Sequence, residues 1–299
     1  MELLTKILSL HSIRTRLMLI FQRQADLQLH LQSVVSPDTT IGFVPTMGAL
    51  HDGHLSLMSQ SLKENDLTAV SIFVNPTQFN NPKDLEKYPR DLNNDINKIN
   101  SLSSTILIYA PAVDDIYNNG TLSENFDFDG LENQMEGKHR PGHFNGVGTV
   151  VKKLFEIVHP TNAYFGEKDF QQLQIIKKLV DKYELSVNVI GHPVFRENNG
   201  LAMSSRNERL SATERDKAGI IFETLVQAKE MFVSKSAQEV SNWVNKSFAA
   251  VPGFKLEYFE IADEATLLTC TEKFKNKKYR AFIAVFVNEI RLIDTISLN

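Results

Sequence analysis

The sequence predicts an α/β protein: a doubly wound parallel sheet covered by helices, followed by a smaller α+β domain. Three observations lead there. Short runs apolar on both faces recur through the first 190 residues, segments with apolar residues at helical spacing lie between them, and the texture changes from about Gly191 onward. Strands apolar on both faces belong to a sheet sandwiched between helix layers. Their alternation with helices builds βαβ units.

The expected strands of the first domain are residues 41–44, 68–74, 105–109 and 163–165. Near the N-terminus, Leu10, Ile13, Leu17 and Ile20 fall at helical spacing and predict an amphipathic helix. Further helices follow from Leu55, Met58 and Leu62; from Leu92, Ile96 and Ile99; from Val147, Val151, Leu154 and Val158; and from Phe170, Leu173, Ile176 and Val180. Pro45, Pro76 and Pro111 closely follow three expected strands and Gly166 a fourth, so polar segments are expected at the strand C-terminal ends, where open α/β sheets bind ligands. Residues 114–137, rich in Asn, Asp, Glu and Gly, form a long excursion from this domain. The expected division is 1–190 and 191–299. In the second part, Ser211 with Glu214 and Ser236 with Glu239 fit capping boxes that open helices. Residues 255–261, 280–287 and 290–296 are expected strands, with a turn at Asn288-Glu289.

Composition sets the class. The chain has 299 residues, 42% hydrophobic and 23% charged, the profile of a globular protein with a substantial core. A net charge of −4 gives no global electrostatic case for binding nucleic acid or an anionic membrane. The longest apolar run near the N-terminus, residues 17–21 between Arg16 and Arg23, is too short for a membrane span. The single cysteine, Cys270, excludes a disulfide framework or a cysteine-rich metal site within one chain and suits a reducing, cytoplasmic setting.

Chemistry concentrates in a few segments. In PTMGALHDGHLSL, residues 45–57, His51 and His54 stand three apart where a strand gives way to a helix, and so share one face of its first turn. A helix N-terminus offers unpaired N–H groups and partial positive charge to anions, and two imidazoles add donors aimed at the same place. Gly53 leaves bare backbone for a flat ligand. This outlines a nucleotide triphosphate site. A zinc site is weaker, for the motif is not HExxH and no third ligand is evident. Alone, the pair reads as well as two solvated histidines at a helix cap. FGEKDFQQ, residues 165–172, joins a second strand to a helix: Lys168 projects a cation, with Gln172 one turn on. A charged surface turn is the plainer alternative. LAMSSRN, residues 201–207, sets two hydroxyls and a guanidinium on a loop at the domain junction, which suits a phosphate clamp or a polar connector. Gln78 stands beyond a strand end in FVNPTQF. Arg140, in the basic stretch 136–144, suits a carboxylate, a phosphate or a structural ion pair.

Together these segments resemble the pantothenate synthetase (pantoate–β-alanine ligase) family. The resemblance runs from about Ile41 to the C-terminus through PTMGALHDGH, FVNPTQF, YPR at 88–90, EG-x-x-RPGHF, FGEKDFQQL and GLAMSSRN, in the family's order. HxGH alone marks a whole nucleotidyltransferase superfamily that includes class I aminoacyl-tRNA synthetases; the six together are far more specific. The resemblance implies a Rossmann-like first domain, a C-terminal lid domain, a homodimer, and condensation of pantoate with β-alanine through a pantoyl adenylate, releasing AMP and pyrophosphate. It implies ATP as substrate, with Mg²⁺ carried mainly by the phosphates and no protein metal site. On this chain it gives His51, His54, Lys168, Ser204, Ser205 and Arg206 as the catalytic set, with His54 as proton donor. ATP would further meet Met47, Gly48, Ala49, Leu50, Asp52, Gly53, Gly166, Glu167, Asp169 (at the ribose), Phe195 (through its backbone) and Met203. Gln78 and Gln172 would bind pantoate, and Gln78 would border β-alanine. One rival is a nucleotidylyltransferase whose product keeps AMP, although two glutamines suit a hydroxy acid better than a phosphate ester. The other is a non-catalytic ATP- or RNA-binding module.

Overall fold

The computed structural model describes residues 18–118 and 120–299. Six strands, β1 (Ile20–Phe21), β2 (Ile41–Thr46), β3 (Leu67–Ile72), β4 (Leu107–Tyr109), β5 (Asn162–Gly166) and β6 (Asn188–His192), form one sheet in the order β1-β4-β3-β2-β5-β6, with every pairing parallel. The chain leaves β2 towards β3 and β4, then returns to place β5 and β6 on the other side. The strand order therefore reverses between β2 and β5, and a ligand crevice opens at the carboxyl ends of those two strands.

Neighbouring residues of each strand feed opposite layers. Phe43 and Tyr109 pack into a cluster with Val158 and Ile176. Val44, Val70 and Ile108 pack on the other face with Met58 and Ile99. The helices that supply them are α1 (Gln24–Val34), α2 (Asp52–Glu64), α3 (Pro82–Lys87), α4 (Leu92–Leu102), α5 (Val113–Tyr117), α6 (Met135–His139), α7 (His143–Val158) and α8 (Phe170–Lys182). Each fully buried Ile, Leu or Phe contributes about 1.5–3 kcal/mol relative to an exposed one. The acidic excursion 114–137 is tied down by Phe126, Phe128, Leu131 and Met135, all buried against α7 and its neighbours.

The second part has three antiparallel strands, β7 (Phe254–Asp263), β8 (Tyr279–Val287) and β9 (Ile290–Ser297), joined in order, with α9 (Ala212–Lys217), α10 (Ile220–Phe232) and α11 (Ala237–Ala249). Its core is separate, built from residues such as Leu225, Val240, Ile261 and Val285. Both expected capping boxes are present, Ser211 with Glu214 and Ser236 with Glu239, and Asn288 takes the left-handed conformation a tight turn needs.

Pro45, expected just past β2, lies inside it, paired with Ser71, and other elements depart from expectation as well. The helix drawn through Leu10, Ile13 and Leu17 lies outside the described residues, and its last position, Ile20, is in a strand, paired with Ile108. The first described helix is α1 instead. Strand β6 was not foreseen; it runs to His192, two residues past the expected division at 190/191. Among the described residues, no helix is long and apolar enough to cross a membrane.

Candidate active site

Strand β2 ends in Thr46, and the chain turns sharply through Gly48 and Ala49, both left-handed, at φ 77° and 50°. That conformation suits glycine and strains alanine. The turn sends two consecutive amide N–H groups, of Ala49 and Leu50, to the carboxylate of Asp95 on α4, at 2.9 and 2.7 Å. Asp95 is 1% exposed. Burial pushes its carboxyl upward against the pull of the two amides. Lys98, one turn further on, donates to the Leu50 carbonyl at 2.5 Å. So braced, the turn delivers His51 as N-cap of α2.

His51 and His54 then stack, with ring centroids 4.0 Å apart and planes 29° from parallel. The His51 backbone N–H donates to His54 Nδ1 at 3.3 Å. A neutral His54 therefore carries its proton on Nε2. Burial holds His54 down to about 4, helped by Lys168. Burial, then His54, then Lys168 hold His51 down to about 2. Both rings are neutral at pH 7, and each offers one N–H donor. His51 Nδ1 is buried with no hydrogen-bond partner, a polar atom waiting for one.

These rings line a cleft of about 230 Å³ together with Met47, Gly53, Gln78, Gly166, Lys168, Asp169, Gln172, Phe195, Met203, Ser204, Ser205 and Arg206. Lys168 comes from the turn after β5, its Nζ 3.4 Å from Asp169. The 201–207 loop is held by the second part of the chain. Arg196 grips the buried Asp294 on β9 at 2.6 and 3.0 Å and stacks on Phe222, and the Met203 N–H donates to the Phe195 carbonyl. Ser204 Oγ caps the following turn, and Arg206 reaches Asp84 on α3 at 3.2 Å.

Gln78 is oriented by an amide network. Asn75 Nδ2 donates to Gln78 Oε1 at 3.0 Å and to the Gly146 carbonyl at 3.1 Å, while Tyr117 and Thr77 hydroxyls hold Asn75 Oδ1. Gln78 Nε2 donates one N–H to the Met47 sulfur at 3.2 Å, and its second N–H remains for a ligand. The Gln78 carbonyl accepts from His143 Nδ1 at 2.8 Å and from Arg140 at 3.3 Å. Burial, then Arg140, holds His143 down to about 4, so it too is neutral at pH 7. Arg140 and His143 thus act on the backbone beneath Gln78.

Five residues of the expected ATP set do not line this cleft. Gly48 and Ala49 form the strained turn, with the Ala49 amide committed to Asp95, and Leu50 is a core residue, 1% exposed. Asp52 follows the N-cap on the solvent face of α2. Glu167 turns away to Arg280 of β8 at 3.2 Å. Conversely, Asn75, Tyr88 and His192 line the cleft. Asn75 and Tyr88 lie in the FVNPTQF and YPR segments, which was the available signal; His192 had none, since β6 was unseen. Among the described residues, no three His, Cys, Asp or Glu side chains gather as a metal set.

A family model for pantoate-beta-alanine ligase matches residues 19–297. The chain belongs to that family. The match starts about twenty residues before Ile41, where the recognisable motifs began. Pantothenate synthetase of Flavobacterium psychrophilum is 64% identical over 281 residues, 94% of this chain and 100% of the relative. That of Christiangramia forsetii is 54% identical over 282 residues, again 94% and 100%. Among solved structures, pantothenate synthetase from Thermus thermophilus has a TM-score of 0.85 at 36% identity, over 94% of this chain and 99% of that one. A pantoate-beta-alanine ligase from Francisella tularensis, complexed with beta-gamma ATP and beta-alanine, gives 0.77 at 38% identity over 94% and 98%. The ligase family's sheet and C-terminal part are thus those described above.

Proposed function

We propose that this chain condenses pantoate with β-alanine, driven by ATP, through an enzyme-bound pantoyl adenylate. The observation that carries the reading is one cleft at the sheet's switch point that combines cationic and N–H donors (His51, His54, Lys168, Arg206) with two glutamines, Gln78, oriented by Asn75, and Gln172. The first set suits a triphosphate; the second suits a small hydroxy acid.

In the first step a pantoate carboxylate oxygen attacks the α-phosphorus, and the bond to the bridging oxygen breaks with its electrons leaving on pyrophosphate. That carboxylate is ionised at pH 7, so no base is required. Charge grows on the bridging oxygen and the departing phosphates, and positioned donors answer it. His54, neutral with its proton on Nε2, serves as a hydrogen-bond donor that strengthens as charge develops; the bound polyanion raises its basicity from the low value of the free site. Asp169 is assigned to the ribose, and the Phe195 backbone with Met47 and Gly53 to the nucleotide. In the second step the β-alanine amine, as its free base, attacks the acyl carbon; the acyl C–O bond breaks with its electrons leaving on AMP, and the nitrogen gives up its proton to solvent. No protein nucleophile enters: Cys270 belongs to the second core.

Mg²⁺ fits as a companion of the phosphates. The cleft offers it one carboxylate, Asp169, already beside Lys168, so its ligands would be phosphate oxygens and water, and it would neutralise phosphate charge. Residues 191–299 act as a lid that keeps water from the acyl phosphate. A homodimer, a cytoplasmic location and no nucleic-acid partner complete the reading.

The test is product analysis with ATP, Mg²⁺ and pantoate, with and without β-alanine. AMP and pyrophosphate formed in step with pantothenate, only when both substrates are present, is the expected result. A product that retains AMP would favour the nucleotidylyltransferase; nucleotide binding without turnover would favour a binding module.

A further inference from the structure

Behind Lys168 and Arg206 lies a second chamber, of about 430 Å³, larger than the nucleotide cleft. Four residues, Lys168, Asp169, Ser204 and Arg206, line both cavities, so they form the wall between them. The chamber includes neither histidine of the stacked pair, neither glutamine, nor Phe195. Its floor is the β7–β9 face, and its outer rim is α3, the 205–209 turn and the β8–β9 turn.

The walls are polar and cationic. Lys and Arg outnumber Asp and Glu seven to five. The balance differs between the two ends. At the inner end Glu136 and Glu257 both bind Arg291, and with Arg291 and Tyr258 on its oxygens Glu136 stays ionised, near 2, although burial alone would raise it. Those charges are mutually satisfied. At the outer end Lys83, Lys87, Arg206 and Arg209 face only Asp84 and Glu289. Glu289, on the exposed turn between β8 and β9, is shared between Lys87 at 3.7 Å and Arg209 at 3.8 Å. Those are long contacts to a well-exposed carboxylate, the kind that exchange readily for another anion.

We propose that this chamber receives the pyrophosphate released on adenylation, with the Lys87–Glu289–Arg209 clasp as its outer gate. The proposal rests on the ligase reading above. The ligand class follows from the walls. A multiply charged anion matches the cationic excess, and a zwitterion such as β-alanine gains little from it. The geometry also gives the chamber a purpose. The leaving group departs across the Lys168–Arg206 wall, while the acyl adenylate stays covered in the first cleft.

The test is pantoate-dependent exchange of labelled pyrophosphate into ATP, without β-alanine, on the full chain. The variants are Lys87→Ala/Arg209→Ala and, separately, Glu289→Gln. None of these residues touches the nucleotide cleft. The double variant is expected to raise the KM for pyrophosphate about five- to tenfold, the KM for ATP in the exchange and for β-alanine in the complete reaction staying within about twofold. Glu289→Gln, which frees both cations, is expected to lower the pyrophosphate KM about two- to threefold. A pyrophosphate KM within twofold of wild type in the double variant overturns the assignment. So does a shift shared equally by ATP, or one confined to β-alanine, which would make the chamber an amine entrance. Wild-type protein that shows no pantoate-dependent exchange would overturn the adenylate reading and the chamber with it, a failure distinct from unresponsive variants.

Discussion

Replacing Asp95 by Asn removes one charge and leaves shape nearly unchanged, so it isolates what the carboxylate does for the turn before His51. The carboxylate accepts two amide N–H groups, at 2.9 and 2.7 Å, in a site that is 1% exposed. A hydrogen bond to a charged group contributes about 1.5–3 kcal/mol, and a buried donor left without a partner costs about 1–3 kcal/mol. Asn keeps one oxygen and turns an NH₂ towards the other amide, so one bond weakens and one is lost. Against this, the neutral amide escapes the burial penalty that raises the Asp95 carboxyl. The net expectation is a loss of about 1–3 kcal/mol in folding free energy. Activity should fall further than stability explains. Ala49 sits at φ 50° because the carboxylate holds it there; released, it relaxes and carries the His51 N-cap with it. A displacement of an ångström at reacting groups costs up to about 10²-fold. Urea unfolding measures the first quantity, and kcat/KM for ATP the second. The KM for β-alanine is the control and should hold within about twofold. A variant within 0.5 kcal/mol of wild type, on the scale of an ordinary surface change, and with unaltered kcat/KM for ATP would refute the reasoning.

Three further outcomes follow from the same geometry. His54→Ala should slow adenylate formation by about 10²–10³-fold while chemically prepared pantoyl adenylate still reacts with β-alanine at near the wild-type rate; equal loss in both steps would sink the donor role. Gly146→Ala would set a Cβ 2.4 Å from the Thr77 carbonyl and 2.7 Å from the Gln78 N, so backbone must move. A loss of about 1–3 kcal/mol is expected, with a raised KM for pantoate, and a KM that stays put while stability drops would disconnect Gln78 from pantoate. Finally, His51, His54 and His143 are held at about 2, 4 and 4, below the unfolded value of 6.5. Below pH 6.5 the unfolded chain takes up protons that the folded chain refuses. Their contribution is therefore complete above about pH 7 and is lost as pH falls from 6.5 towards 4, at up to about 1.4 kcal/mol per pH unit for each group. Denaturant unfolding at pH 7.5, 6 and 5 should show this slope, and His143→Asn should reduce it; a flat profile would mean that the rings are not held neutral.

What could be read from the sequence was whatever lies close together along the chain. The spacing of His51 and His54 put them on one helical face, and their rings stack. Pro45 and Gly166 fall in the last two positions of β2 and β5, and the cleft opens there, whereas Pro76 and Pro111 follow β3 and β4 without lining it. Both capping boxes join residues three positions apart and are visible for that reason. What escaped was long-range or short-lived. Strand β1 has two residues, too few to register against a helical pattern that shared its apolar positions. Strand β6 is an edge strand with an exposed start and only partly buried residues, so it lacks the continuous apolar run that revealed its neighbours. The supports of the site are the plainest case. Asp95 meets the His51 turn across 45 positions, Arg196 meets Asp294 across 98, and Arg280 meets Glu167 across 113. No local pattern encodes such pairs; an Asp in a helix or an Arg in a strand carries no mark of its partner. The same distinction applies to the residues of the expected ATP set that do not line the cleft. Gly48, Ala49, Leu50 and Glu167 lie inside strong motifs, yet the motif spends them on turning, packing and anchoring. A motif therefore names a neighbourhood, and the long-range contacts decide which of its members face the ligand.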